Sequence, residues 1–217
     1  MNAARGGRSS GHAPHPPAHA AGAPGEVRII GGQWRRSRLP VANRPGLRPT
    51  PDRVRETLFN WLGQDLTGWH CLDAFAGSGA LGFEAASRHA AEVLLVEQDR
   101  AVAAQLKANA GRLKAGNLRV QAGDGLLALA QPPAGRPEGW DLVFLDPPFA
   151  AGLESQALAL AAGVLAPEGL VYLESGQRQD ATALAAQGWQ LLRNLRAGAV
   201  HAHLLQRGAA HDTTVQP

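Results

Sequence analysis

Between residues 69 and 165 the chain repeats one pattern, a short and densely apolar run followed by a stretch whose apolar positions recur at helical spacing. The runs are WHCLDAF, AEVLLVE, LRVQA and DLVFLD, and the stretches fall at about 79–89, 99–111, 124–130 and 153–165. Strict alternation of strand and helix predicts a parallel sheet with helices on both faces. A further strand, GLVYLES, follows, and then WQLLRNLR and VHAHLLQR with no long helical stretch between them. This last pair predicts a closing antiparallel hairpin. The expected fold class is α/β and Rossmann-like, with a mostly parallel seven-stranded sheet.

Upstream, VRII and QWRRSRL read as two short strands around a Gly31-Gly32 turn, because a glycine pair suits the positive dihedrals of a tight hairpin. The second strand would carry Arg35, Arg36 and Arg38. After ANRPGLRPTP a helix is expected to start near Pro51 or Asp52, with Val54, Leu58, Phe59 and Leu62 recurring at helical spacing. Residues 1–25 are Ala, Gly, Pro and His with no apolar period, too little apolar surface to offset the entropy of ordering. They read as a disordered tail, and the spacing of His12, His15 and His19 fixes no metal geometry. The expected organisation is therefore a tail (1–25), a basic hairpin and helix (26–66), an α/β domain (67–207) and a second short tail (208–217).

A length of 217 residues with 45% hydrophobic content fits one domain with extensions. No apolar run reaches the roughly 18 residues of a membrane span, and no secretory leader pattern opens the chain, so the expectation is a cytoplasmic protein, with a monomer as the default. The single cysteine, Cys71, excludes an intramolecular disulfide and a multi-cysteine zinc site, and its apolar setting predicts a small buried residue. The net charge of +3 is unevenly spread: residues 27–56 hold eight arginines against Asp52 and Glu56. Guanidinium forks match phosphate oxygens, so this segment fits contact with a nucleic acid. An ordinary solvated face fits the charge equally well.

Ligands of open α/β sheets bind beyond the carboxyl ends of the strands. The first core strand ends in Asp73 and continues Ala74, Phe75, Ala76, Gly77, Ser78, Gly79, so that Gly77, Gly79 and Gly82 spell GxGxxG ahead of a helix. Glycine allows a tight turn and lets a ligand approach the backbone N–H groups of a helix N-terminus. The second strand ends in Glu97 and Gln98, where a carboxylate can accept both hydroxyls of a ribose. After the third, Asp124 and Gly125 open a helix, where the acid serves either as a plain cap or as an acceptor for an adenine amino group. The fourth ends in Asp146, Pro147, Pro148 and Phe149. An exocyclic base amine has its lone pair delocalised into the ring until acceptors hold its protons. Asp146 and the Pro147 carbonyl are suitable acceptors, the prolines fix their geometry, and Phe149 is placed to stack on the base. Taken residue by residue, a strand stopped by prolines beside a core Phe fits as well.

Together these motifs resemble the class I S-adenosylmethionine-dependent methyltransferases, and within them the bacterial small-subunit (16S) ribosomal RNA guanine-N2 methyltransferases of the RsmD type. The resemblance covers roughly residues 27–207 and rests on RIIGGQWR, GLRPTPDRVRETLFNWL, LDAFAGSGALGFEAASR, LVEQDR, LKAGN, VFLDPPF and VYLES. It implies S-adenosylmethionine as cofactor, with no metal, and 16S rRNA or a small-subunit assembly intermediate as partner. It further implies that Asp73 to Gly79 line the methionine side, Glu97 and Gln98 the ribose, and Asp124 and Gly125 the adenine edge. Asp146 to Phe149 would form the amine site. Arg48, Thr50 and Arg53 would cap the pocket or guide RNA into it, and Arg35, Arg36 and Arg38 would sit on phosphates. The long N-terminal tail and the QPPAGRPEG loop depart from the family pattern without touching these motifs.

Two other readings stay open on the residues alone. AGSG and DPPF occur in amino-methyltransferases generally, so a DNA or RNA enzyme acting on adenine N6 or cytosine N4 fits, though no insertion is long enough for a target-recognition domain. A nicotinamide-dependent oxidoreductase shares GxGxxG.

Overall fold

The runs HCLD, EVLLVE and WDLVFL are largely buried on both faces, and their alternation decides which side chain meets which helix layer. In the computed structural model, which describes residues 25–45, 47, 49–148 and 152–208, the order is β1 (Glu26–Arg28), β2 (Arg38–Pro40), α1 (Asp52–Trp61), β3 (His70–Asp73), α2 (Ala80–Ser87), β4 (Glu92–Glu97), α3 (Arg100–Leu113) and β5 (Leu118–Ala122). Then come α4 (Gly125–Leu129), β6 (Trp140–Leu145), α5 (Glu154–Ala161), β7 (Leu165–Ser175), α6 (Ala181–Ala186), β8 (Trp189–Ala197) and β9 (Val200–Arg207). The main sheet has seven strands in the order β5-β4-β3-β6-β7-β9-β8. Pairing is parallel from β5 to β7, and β9 pairs antiparallel with both β7 and β8. The expected α/β sheet and its closing hairpin are both present. No helix among the described residues is long and apolar enough to cross a membrane. The expected tails lie outside the described residues, apart from Gly25 and Gly208.

Successive strand residues serve opposite layers. Cys71, Leu142, Phe144 and Tyr172 face a core shared with α1, α2 and α3, whereas Leu72, Val143, Val171 and Leu173 face one built on α4, α5 and α6. Cys71 is fully buried, and desolvation pushes its thiol pKa up. Phe59 of α1, Phe144 of β6 and Tyr172 of β7 form an aromatic row, with ring centroids 6.4 and 6.2 Å apart. Val27, Ile29, Leu39 and Val41 of the N-terminal segment join the same core. Segment 26–66 is thus continuous in packing with the sheet.

The N-terminal hairpin differs from its expected form. β1 pairs with β2 through Val27 and Leu39, and Gly31-Gly32 is not the turn; residues 29–37 make a longer excursion that lies on the C-terminal end of α2. The glycines are needed for close approach, since a Cβ on Gly32 would stand 1.8 Å from the Ser87 carbonyl oxygen. The Ile30 and Gly31 N–H groups donate to the two oxygens of Glu84 at 2.9 and 2.8 Å, and Trp34 N–H donates to Ser87 Oγ. Arg35 and Arg36 therefore sit on this excursion rather than on a strand, with Arg36 at φ 71°. Glu84 is completely buried and also receives Arg55 Nη1 at 3.1 Å and Arg88 Nε at 3.0 Å, while Arg88 lies 4.7 Å over the Phe59 ring.

Candidate active site

The chain leaves β3 toward β4 and β5, then returns to place β6 on the other side of β3, so the sheet has its topological switch at the β3/β6 edge. The crevice beyond the carboxyl ends there is the natural ligand site of such a sheet. Asp73, Asp146 and Glu174 stand at the ends of β3, β6 and β7 around it.

The glycine-rich turn is built by its own hydrogen bonds. Asp73, buried at 2% exposure, accepts from Gly82 N–H at 3.1 Å, and Gly79, at φ 77°, turns the chain into α2. Removal from water, with Glu97 and Glu174 adding their charges, holds the Asp73 carboxyl up at about 7 in spite of the Gly82 bond. Glu97 accepts Gly77 N–H through Oε2 and Asp99 N–H through Oε1, both at 2.8 Å. Each oxygen keeps a further lone pair, and the side chain stays partly exposed. Ala74 and Ser78 are buried, Ala76 N–H donates to Val96, and Phe75 packs partly buried against the α4/α5 layer. Gln98 is exposed.

Asp124 caps α4 by accepting Leu126 N–H at 2.7 Å, and is exposed. Gly125 is pressed against the first turn: a Cβ there would lie 2.0 Å from the Ala74 carbonyl oxygen. The adenine-side and methionine-side segments proposed from sequence therefore touch each other.

At the β6 end Pro147 is buried and Pro148 exposed; Phe149 lies outside the described residues. Asp146 keeps part of its surface open and forms no side-chain hydrogen bond among the described residues. Crowding by protein raises its pKa well above the usual carboxylate range, and the charges of Glu174 and Asp73 raise it further. Glu174 was assigned no role from sequence. It is 3% exposed and accepts the Tyr172 hydroxyl at 2.9 Å, with the buried Thr50 close by, and burial still raises its pKa. An acid at the carboxyl end of a core strand was the available signal, the same one that marks Asp73 and Asp146.

The basic segment divides. Arg55 is buried on Glu84 and Asp52, Arg28 pairs with Asp52, Arg38 with Glu26 and Arg44 with Asp99. Arg35, Arg36 and Arg53 are exposed and form no ion pair among the described residues; Arg48 lies outside them. Thr50, grouped from sequence with the RNA contacts, is 6% exposed and turned to Glu174, a wall of the crevice rather than an outer surface. No group of three or more potential metal ligands is gathered among the described residues.

A sheet of this order with acids at these strand ends is the fold of the class I methyltransferases. Residues 27–206 match the model of the family described as Conserved hypothetical protein 95, and the chain belongs to that family. The Ribosomal RNA small subunit methyltransferase D of Escherichia coli (strain K12) is 50% identical over 191 residues, covering 87% of this chain and 94% of that protein. The protein of the same name from Haemophilus influenzae is 45% identical over 187 residues, covering 85% and 95%. Among solved structures, the Escherichia coli protein yhhF aligns with a TM-score of 0.71 at 50% identity, covering 85% of this chain and 99% of that one.

Proposed function

We propose that this chain methylates the exocyclic N2 of a guanine in small-subunit (16S) ribosomal RNA, using S-adenosylmethionine and acting on the RNA or on a small-subunit assembly intermediate. The observation that carries the reading is Asp146, a crowded carboxylate without a partner among the described residues, held by Pro147 and Pro148 at the β3/β6 crevice beside the glycine-rich turn. The names of the relatives supply the ribosomal RNA.

The donor set fits the cofactor. Its sulfonium and ammonium groups are cationic and its ribose is a diol; the crevice offers the buried Asp73, the half-exposed Glu97 with lone pairs to spare, and Asp124 at the far end. When bound, S-adenosylmethionine supplies an activated methyl group. Asp73 and the 74–79 turn would hold its methionine part, Glu97 and Gln98 the ribose, and Asp124 and Gly125 the adenine edge. The chain then supplies alignment. Asp146 and the Pro147 carbonyl accept the amino protons and turn the N2 lone pair outward, Phe149 stacks on the base, and Arg35, Arg36, Arg38, Arg48 and Arg53 contact phosphates. Positioning two bound reactants accounts for most of the rate, because the target base, once turned out of its stack, needs no covalent enzyme intermediate. Replacing Asp146 with Ala is expected to abolish turnover and leave S-adenosylhomocysteine binding within a few-fold. Loss of binding with turnover retained would refute the assignment. Binding of NAD in place of S-adenosylhomocysteine would favour the oxidoreductase reading.

A further inference from the structure

We infer that Glu174 is a positioning residue for the transfer step: its buried charge, held in place by the Tyr172 hydroxyl, strengthens the hold of Asp146 on the amino protons of the target base. This rests on the reading of Asp146 given above.

The geometry follows from register. Phe144 pairs with Tyr172 and Leu145 with Leu173, so Glu174 is the next residue across from Asp146, on the face that carries Phe144 and Tyr172. Asp73 pairs with Phe144, so it stands on the same face of β3, two residues before the position across from Asp146. Beneath these acids lies the Phe59–Phe144–Tyr172 aromatic row, which keeps water from the sheet side. Among the described residues the polar groups near Glu174 are Asp146 from β6, Asp73 from β3, the Tyr172 hydroxyl from its own strand and Thr50 from the segment ahead of α1. Its partner on β9 is Ala202, and no Lys, Arg or His forms an ion pair with it among the described residues. The Tyr172 hydroxyl donor favours its ionised form, and that charge disfavours ionisation of its neighbour. Burial first, then Glu174, raises the proton affinity of Asp146.

The chemistry gives this arrangement a use. On methylation N2 carries a positive charge until one of its two protons leaves, and Asp146 is the acceptor. A carboxylate of higher proton affinity holds those protons more firmly beforehand and takes one more readily afterwards. Glu174 has no contact with the base; it acts through Asp146.

The test is the pH dependence of rRNA methylation by the full chain under saturating cofactor, for wild type, Glu174→Gln, Glu174→Asp and Tyr172→Phe, with S-adenosylhomocysteine binding measured alongside. For a unit charge about one strand spacing away at an effective dielectric near ~20, Glu174→Gln is expected to move the acidic limb down by about two to three pH units. Its plateau rate should fall about tenfold, with binding kept within about threefold. Glu174→Asp, which retains the charge, should return the limb toward wild type. Tyr172→Phe should shift it down by less, since a Glu174 that has lost one donor takes up the shared proton itself. An unmoved limb in Glu174→Gln overturns the inference. If that variant does not fold, a wild-type limb in Tyr172→Phe overturns it instead. Asp146→Asn separates the two levels: a dead Asp146→Asn with an unmoved Glu174→Gln limb defeats only this inference, whereas an active Asp146→Asn defeats the reading beneath it.

Discussion

Replacing Glu84 with Gln removes the buried anion that ties the N-terminal excursion to α2 while nearly preserving side-chain volume. Two cations depend on it, Arg55 at 1% and Arg88 at 5% side-chain exposure, and neither can reach bulk water without moving the core. Breaking a buried pair from one side costs about 3–5 kcal/mol, because a desolvated charge is left behind. Of the two backbone donors, Ile30 and Gly31 N–H, the amide oxygen of Gln serves one and its NH2 opposes the other, adding about 1 kcal/mol or more. Asp52 stays within reach of Arg55, and the Gln64 side chain within reach of Arg88, which limits the loss. The sum is about 4 kcal/mol, against a total stability of roughly 5–15 kcal/mol. In a chain of this size that corresponds to a fall in Tm of about 8–16 °C. Urea denaturation of wild type, Glu84→Gln, Arg55→Met and the double variant measures it, and the cycle should return a coupling of at least about 2 kcal/mol. A loss under about 1 kcal/mol, or additive single effects, would show that the excursion is held by its apolar contacts and its Ser87 hydrogen bonds without help from Glu84.

Three further outcomes are expected. Asp73 has a folded pKa of about 7 against an ordinary 3.8, so the folded protein retains a proton that the unfolded chain releases, and cofactor-free stability falls as pH rises from about 4 to about 7. Asp73→Asn should therefore raise Tm at pH ~8 and weaken S-adenosylhomocysteine binding; an unchanged or lower Tm contradicts the burial argument. Gly125→Ala forces a Cβ to within 2.0 Å of the Ala74 carbonyl oxygen and should cost cofactor binding and several degrees of Tm, while Gly116→Ala, with nothing within 4 Å, should be neutral by both calorimetry and melting. Replacing Arg35 and Arg36 with Gln should reduce the slope of log K against log[salt] for rRNA binding by about 1.4, at about 0.7 per phosphate contact; an unchanged slope would remove the excursion from the RNA surface.

Periodicity and strand-end chemistry were readable in the sequence because they are local. The apolar runs that became β3, β4 and β6 are too densely apolar for a one-sided sheet, and acids at the carboxyl ends of the strands marked the crevice. Gly31-Gly32 was ambiguous in principle: glycine serves a tight turn or a close approach, and only the position of Ser87 shows which. Charge counting along residues 27–56 could not separate Arg55, buried on Glu84, from the exposed Arg35 and Arg36, since its partner lies 29 residues away. Glu174 was visible as a strand-end acid, but its relation to Asp146 depends on the β6/β7 register, and Thr50 reaches it only because the N-terminal segment folds over the sheet. What the residues do in isolation was legible; what they do as neighbours required the fold.

The most direct test of the proposed activity is to incubate the full chain with methyl-labelled S-adenosylmethionine and either naked 16S rRNA or partly assembled small subunits, then map the label by mass spectrometry. The account predicts one methyl group on the N2 of a single guanine, absent with Asp146→Ala. Label on adenine N6 or cytosine N4, label in DNA alone, or guanine labelling that survives Asp146→Ala would contradict it.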